Sequence, residues 1–302
     1  MKPLLTALAL LCAFAALPAR ADIPRVATDI PAVHSLVAQV MGDLGTPQLL
    51  ITAGASPHGY SMRPSQARDL AEADILVWMG AAQMPWLAKA QSALAANAVS
   101  IELMQLPDTI VLPPREGLGF AAHDDHADHS DHAPDPHAWL DPVNAQLWLA
   151  HIATALAAHD PDNAATYTAN AEAATATLQK LQSDIATQLA PLQQVGFVVF
   201  HDAYQYFEAR FGLHAIAALS QSDASTPGPS RVSDLRGILF AALVKCAFAE
   251  PQFNPRLMAT LIEGTDIRTG ILDPMGASLI SGPMLYDNLL RGMADEMVKC
   301  LG

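Results

Sequence analysis

The sequence predicts an α/β protein: two βα lobes, each with a parallel four-stranded sheet, joined by a long backbone helix, with a metal site in the cleft between them. Three observations predict it. Short β-like segments alternate with helix-like ones in the first third of the mature chain, and the alternation restarts after residue 190. Two long, uninterrupted helical segments lie between these runs. Strands alternating with helices imply parallel sheets covered on both faces. A run of histidines and aspartates then sits between the halves, at Phe120–Pro142.

The first residues, MKPLLTALALLCAFAALPARA, combine one Lys with a long apolar run and Ala19-Arg20-Ala21 before Asp22. That pattern is a secretory signal peptide over residues 1–21, and the expected compartment is the periplasm. Leu11 before Cys12 is too bulky for a lipoprotein signal. Cleavage removes Lys2 and Arg20 from the 16 basic residues and none of the 30 acidic ones, so the net charge moves from -14 to -16. A chain so acidic repels nucleic acid and anionic lipid and attracts cations. No other segment has the apolar length of a membrane span, so the mature protein is expected not to be membrane-inserted. Cys246 and Cys300 are the only cysteines left, and an even pair in an oxidising compartment suggests a disulfide.

The elements follow in order. Arg25–Ile30 reads as a first strand and Pro31–Met41 as a helix. Gln48–Ile51, Ile75–Met79 and Val99–Leu103 read as the next three strands, with helices over PSQARDLAEAD and around Trp86–Ala96. The Pro- and Gly-rich stretch after Leu103 is irregular. LDPVNAQLWLAHIATALAAHD is helical, with Pro142 in its first turn. Pro161 opens a second helix to about Leu189, roughly 40 Å long at 1.5 Å per residue, which suits a spine between lobes. Gly196–Phe200, His214–Leu219, Cys246–Glu250 and Arg268–Leu272 are four further strands. A helix covers Ala203–Phe211, Ser230 or Ser233 caps the next, and a closing helix starts near Leu285. The expected divisions are a first lobe over 22–160 including a His-rich loop at 120–136, a linking helix over 161–190, and a second lobe over 191–302.

The chemistry-bearing residues fall at strand ends on this map. His123, His126, His129 and His132 recur every third residue among Asp124, Asp125, Asp128, Asp131 and Asp135. A charged run with nothing apolar to bury is a loose chelator for divalent zinc, or else a solvated acidic loop. His58 follows the second strand, His137 the fourth, His201 the fifth and Asp273 the eighth. In open parallel sheets ligands bind beyond the carboxyl ends of the strands. Two side chains from each half would therefore converge, and three imidazoles with one carboxylate suit tetrahedral Zn2+. Singly, each is better explained as a cap or surface group; their shared position raises the set. His34 is a packing residue or a neighbour of the site, whereas His151, His159 and His214 have no case as ligands.

GASPHGYSMRPSQARDL, DPHAWLDP, FHDAYQYF and LDPMG resemble, in order, successive motifs of the cluster A-I, ZnuA-like solute-binding proteins of metal ABC importers. The acidic His-rich run before DPHAW is similar to that of the zinc-specific members. The resemblance implies zinc held between two lobes by His58, His137 and His201, and delivery to a membrane ABC permease by a monomer. It also implies a second-lobe disulfide like that suggested for Cys246 and Cys300. Manganese members usually carry Glu at the place of His201, and imidazole suits zinc better than manganese. Pro57 stands where some zinc members have a Glu ligand, which leaves Asp273 or a water as fourth ligand. The alternatives are a manganese or iron carrier on the same fold, a secreted zinc hydrolase and a metal-dependent adhesin. A hydrolase would need a general base aimed at a zinc-bound water, and no motif supplies one.

Overall fold

Val26, Ala27 and Thr28 form β1, buried on both sides, and pair in parallel with Ile75, Leu76 and Val77 of β3 (Ile75–Trp78). A computed structural model provides the structure, describing residues 23–52, 54–57, 59–115, 117–120, 133–220 and 227–302. The expected signal segment, His58 and the whole His-rich run from His123 to His132 lie outside the described residues. With β2 (Gln48–Leu49) and β4 (Val99–Glu102), the first sheet has the order β2-β1-β3-β4. Helices α1 (Pro31–Met41), α2 (Pro64–Ala71) and α3 (Pro85–Leu94) each begin with proline, whose fixed φ suits a first turn and whose missing N–H costs nothing there.

The second sheet, order β6-β5-β7-β8, is also parallel throughout: β5 (Gly196–His201), β6 (Ala215–Ser220), β7 (Val244–Ala249) and β8 (Arg268–Ile271). Between the sheets run α4 (Pro142–His159) and α5 (Ala164–Leu189). α5 buries Tyr167, Ala171, Ala174, Leu178, Leu181, Ile185 and Leu189 at spacings of three and four, a single helical stripe. That stripe packs on α4 and α1 and, toward the other lobe, on α9 (Leu285–Leu301). The expected spine is thus a helix touching both lobes, and one continuous apolar core runs from Val26 to Leu301. The other face of the second sheet has its own cluster around Val198, Phe200, Leu235, Met258 and Leu261. It lies under α7 (Pro229–Ala241) and α8 (Pro255–Ile262). Cys246 and Cys300 form the disulfide, joining β7 to the last turn of α9.

Four local details differ from expectation. Neither Ser230 nor Ser233 caps α7: the helix starts earlier, at Pro229, after extended Gly228, and has no side-chain cap. Ser230 is therefore already inside the first turn, where its hydroxyl donates to Asp234. His214 lies just ahead of β6 and is exposed rather than within the strand. The sequence reading also passed over α8, which Asn254 caps by accepting from Arg256 N at 3.0 Å. α6 (Gln205–Phe211) starts two residues late because Ala203 N first turns back to the His201 carbonyl.

The chain entering the His-rich run crosses to the second lobe before it gets there. Gly119 bridges Ala217 and Phe120 N donates to the Ile216 carbonyl, covering the open edge of β6. The Arg115 side chain is mostly covered there, paired with both Asp202 and Glu208 and stacked 3.9 Å over the Phe120 ring. Burial works against its charge, but the two carboxylates outweigh that and hold its pKa above the usual arginine value.

Candidate metal centre

Because every strand of the second sheet runs the same way, the carboxyl ends of β5 and β7 lie side by side. His201 is the last residue of β5 and Glu250 the first after β7, so the pairing of these strands brings them together. Glu250 Oε1 lies 2.6 Å from His201 Nδ1 and also accepts the His201 backbone N–H at 3.2 Å. Both are almost fully buried, His201 at 3% exposure and Glu250 at 3%.

His137 reaches the same place from a different element. It precedes the short turn Ala138–Leu140, after which Asp141 caps α4 by accepting from Val143 N. Asp135 Oδ1 lies 2.7 Å from His137 Nδ1 and accepts the His137 backbone N–H at 3.0 Å. The His137 and His201 rings meet edge to face, with centroids 5.3 Å apart. Two imidazoles, each held at Nδ1 by a buried carboxylate, therefore face each other across a few ångströms.

The expectation of two ligands from each half changes in one respect. His137 belongs to the first half by sequence, yet most of its surroundings are fastened to the second lobe. The Tyr206 hydroxyl of α6 donates to the Asp135 carbonyl at 2.8 Å. Arg210 of α6 grips both oxygens of Asp141 at 2.8 and 2.7 Å. Trp139 Nε1 donates to the Pro274 carbonyl at 2.9 Å, and the Tyr286 hydroxyl to the Trp139 carbonyl at 2.7 Å.

Asp273 follows β8 as expected, but its Oδ2 is used within its own loop, accepting from Ser278 N at 3.1 Å and Ser278 Oγ at 3.2 Å. Its Oδ1 is buried with no hydrogen-bond partner among the described residues. Among the described residues no three His, Cys, Asp or Glu side chains come together as a ligand group. The described part of the centre is thus a pair of imidazoles. The residues flanking His58 are held by packing on α3, where Trp86 Nε1 donates to the Pro57 carbonyl at 2.8 Å and the Tyr60 and Trp86 rings lie 5.8 Å apart. A Cβ at Gly54 would lie 3.8 Å from Ala277, so this first-lobe loop approaches the loop that carries Asp273. His34 is a packing residue: it is buried in α1 with Nε2 3.1 Å from the Pro47 carbonyl.

Sequence reasoning did not single out Glu250 or the pairing of Asp135 with His137. Glu250 was legible by the rule that found His201, an ionisable residue at a strand's carboxyl end. Tyr204 also went unnoticed; burial first, then the charges of Glu250 and Asp273, push its hydroxyl well above the usual tyrosine value. It therefore stays a proton donor beside that carboxylate.

Two parallel four-stranded α/β lobes bridged by a long helix define the fold of the ZnuA-like solute-binding proteins. A crystal structure of ZnuA matches with a TM-score of 0.77 and 26% sequence identity, covering 93% of this chain and 100% of that one. The profile of the family described as "Zinc-uptake complex component A periplasmic" matches residues 26–300, and the chain belongs to that family. It is 44% identical to the high-affinity zinc uptake system protein ZnuA of Paracoccus denitrificans (strain Pd 1222), over 100% of this chain and 99% of that protein. It is 36% identical to the protein of the same name from Brucella abortus (strain 2308), over 91% of each. Among the described residues no helix is long and apolar enough to cross a membrane.

Proposed function

We propose that the protein captures Zn2+ in the periplasm, as a monomer, and delivers it to the permease of a zinc ABC importer. The observation that carries this reading is the buried facing pair His137 and His201, each backed at Nδ1 by a carboxylate. A neutral ring that donates from Nδ1 coordinates a metal through Nε2, so each ring would bind the ion by that atom. His58 supplies the third imidazole from the first lobe, and Asp273 or a water the fourth ligand. The chemistry is reversible coordination, with no bond in a substrate made or broken. Imidazole ligands favour zinc over manganese, which prefers oxygen donors. Histidines of the 123–132 run bind additional zinc more weakly, because a charged run with little apolar to bury loses about 1–2 kcal/mol of backbone entropy for each residue fixed around a metal.

The test is zinc competition against a chromophoric chelator, on the mature protein and on variants. His58→Ala, His137→Ala and His201→Ala should each weaken the tightest zinc by orders of magnitude with the far-UV circular dichroism unchanged. A triple-Ala variant that still binds one zinc with wild-type affinity would show the assignment to be wrong.

A further inference from the structure

Each imidazole of the centre is one end of a short hydrogen-bonded chain, and the two chains are built alike. Beyond His201, Glu250 Oε1 takes the ring nitrogen and the backbone N–H, while Oε2 accepts from Gln252 Nε2 at 2.8 Å. Beyond His137, Asp135 Oδ1 takes the ring nitrogen and the backbone N–H. The Gln205 amide, turned to donate, reaches Asp135 Oδ2 at 2.9 Å and the Pro113 carbonyl at 3.1 Å. Histidine, carboxylate and glutamine amide thus recur in the same order on two unrelated segments.

A carboxylate that already accepts an amide N–H on the same oxygen has only acceptor capacity to offer Nδ1. The ring must then carry its proton on Nδ1, and a neutral ring has its lone pair on Nε2. Both carboxylates are buried, Asp135 at 4% and Glu250 at 3% exposure, so water neither competes for the contact nor screens it. The glutamines complete the job by fixing the second oxygen, which stops each carboxylate from rotating away.

We propose that Glu250 and Asp135 are positioning residues for zinc: each fixes its histidine as the Nδ1–H tautomer, aims Nε2 into the cleft and strengthens the ring as a donor to the ion. The proposal rests on the reading that His137 and His201 hold the metal. It goes further by placing part of the affinity in residues that do not touch the ion. Removing such a partner typically costs 10- to 100-fold in metal affinity.

Glu250→Gln is the informative variant, because it keeps an acceptor for Nδ1–H and removes only the charge. It should also fold: Gln252 Oε1 is buried with no partner among the described residues, so that amide can turn to accept from the new one. Zinc affinity is measured by chelator competition on the mature protein, and ligand geometry by the visible d–d bands of bound Co2+. Glu250→Gln and Asp135→Asn should each weaken zinc by about 10-fold and Glu250→Ala by nearer 100-fold, all with shifted Co2+ bands. Wild-type affinity and unchanged bands in Glu250→Gln and Asp135→Asn, with zinc lost in His201→Ala, would overturn the proposal and leave the ligand assignment standing. Wild-type affinity in His201→Ala itself would overturn both. Should Glu250→Ala fail to fold, the two conservative variants decide.

Discussion

Asp29 shows how much of the cleft depends on single buried side chains. It is fully buried at the carboxyl end of β1, with Oδ1 accepting from Ile30 N at 2.7 Å and Oδ2 from Met79 N at 2.6 Å. It thereby ties the end of β1 to the end of β3 on the first-lobe side. Burial pushes its carboxyl up to about 7, against the lowering effect of those two amides. The folded value lies above the unfolded one, so the folded protein binds the extra proton between pH 4 and 7. Asp29's contribution is then fully present below about pH 4 and is lost as pH rises toward 7, by at most about 4 kcal/mol at 1.36 kcal/mol per unit. Asp29→Asn should flatten the decline of stability over that window, seen in urea unfolding at pH 4, 5.5 and 7. It should also cost about 1–3 kcal/mol at pH 4, because one backbone N–H loses its acceptor. An unaltered slope in the variant would show that Asp29 does not titrate in this range. None of this was legible in TDIP, because Met79, the residue that makes Asp29 unusual, is fifty positions away.

At the scale of elements, the chain announces most of itself. β3 reads from four consecutive apolar residues and α5 from a stripe that persists over 26 residues. Proline at the first turn marks several helix starts, and it marks α7 better than the nearby serines did. α8 has the same signals, Asn254 then Pro255, and the parallel β7–β8 pair requires a crossover there in any case. Two element-level outcomes follow. Leu178 is fully buried on the stripe of α5, so Leu178→Ala should destabilise by about 2–5 kcal/mol in chemical unfolding. A loss under 1 kcal/mol would mean that α5 is not the packed spine described here. The Cys246–Cys300 bridge spans 54 residues, so replacing both cysteines with Ala should cost about 4 kcal/mol on the chain-entropy model. Unchanged stability after that double replacement would mean that the bridge contributes nothing at this position.

For the whole molecule, His201 could be placed at a strand end from sequence, but neither its attachments nor those of His137, which enters from the turn before α4. His137 comes from the first half of the chain, and only the folded structure ties it through Tyr206, Arg210 and Tyr286 to the second. Periodicity reports which face of an element is buried; it does not report which distant side chain will meet it. The division of labour between cleft and His-rich run is likewise a property of the whole molecule. Deleting Ala122–Ala133 should lower zinc stoichiometry while leaving the tight site's affinity nearly unchanged, as read by titration with and without a competing chelator. A large loss of tight-site affinity would mean that the run supplies a cleft ligand. The central claim is that a cleft built from imidazoles, in a chain of this family, selects zinc for import. Its most direct test is a competition titration of the purified mature protein with zinc against manganese. Zinc should displace manganese from a single tight site and hold it against a large manganese excess. Equal affinity for the two ions, or a preference for manganese, would contradict the account.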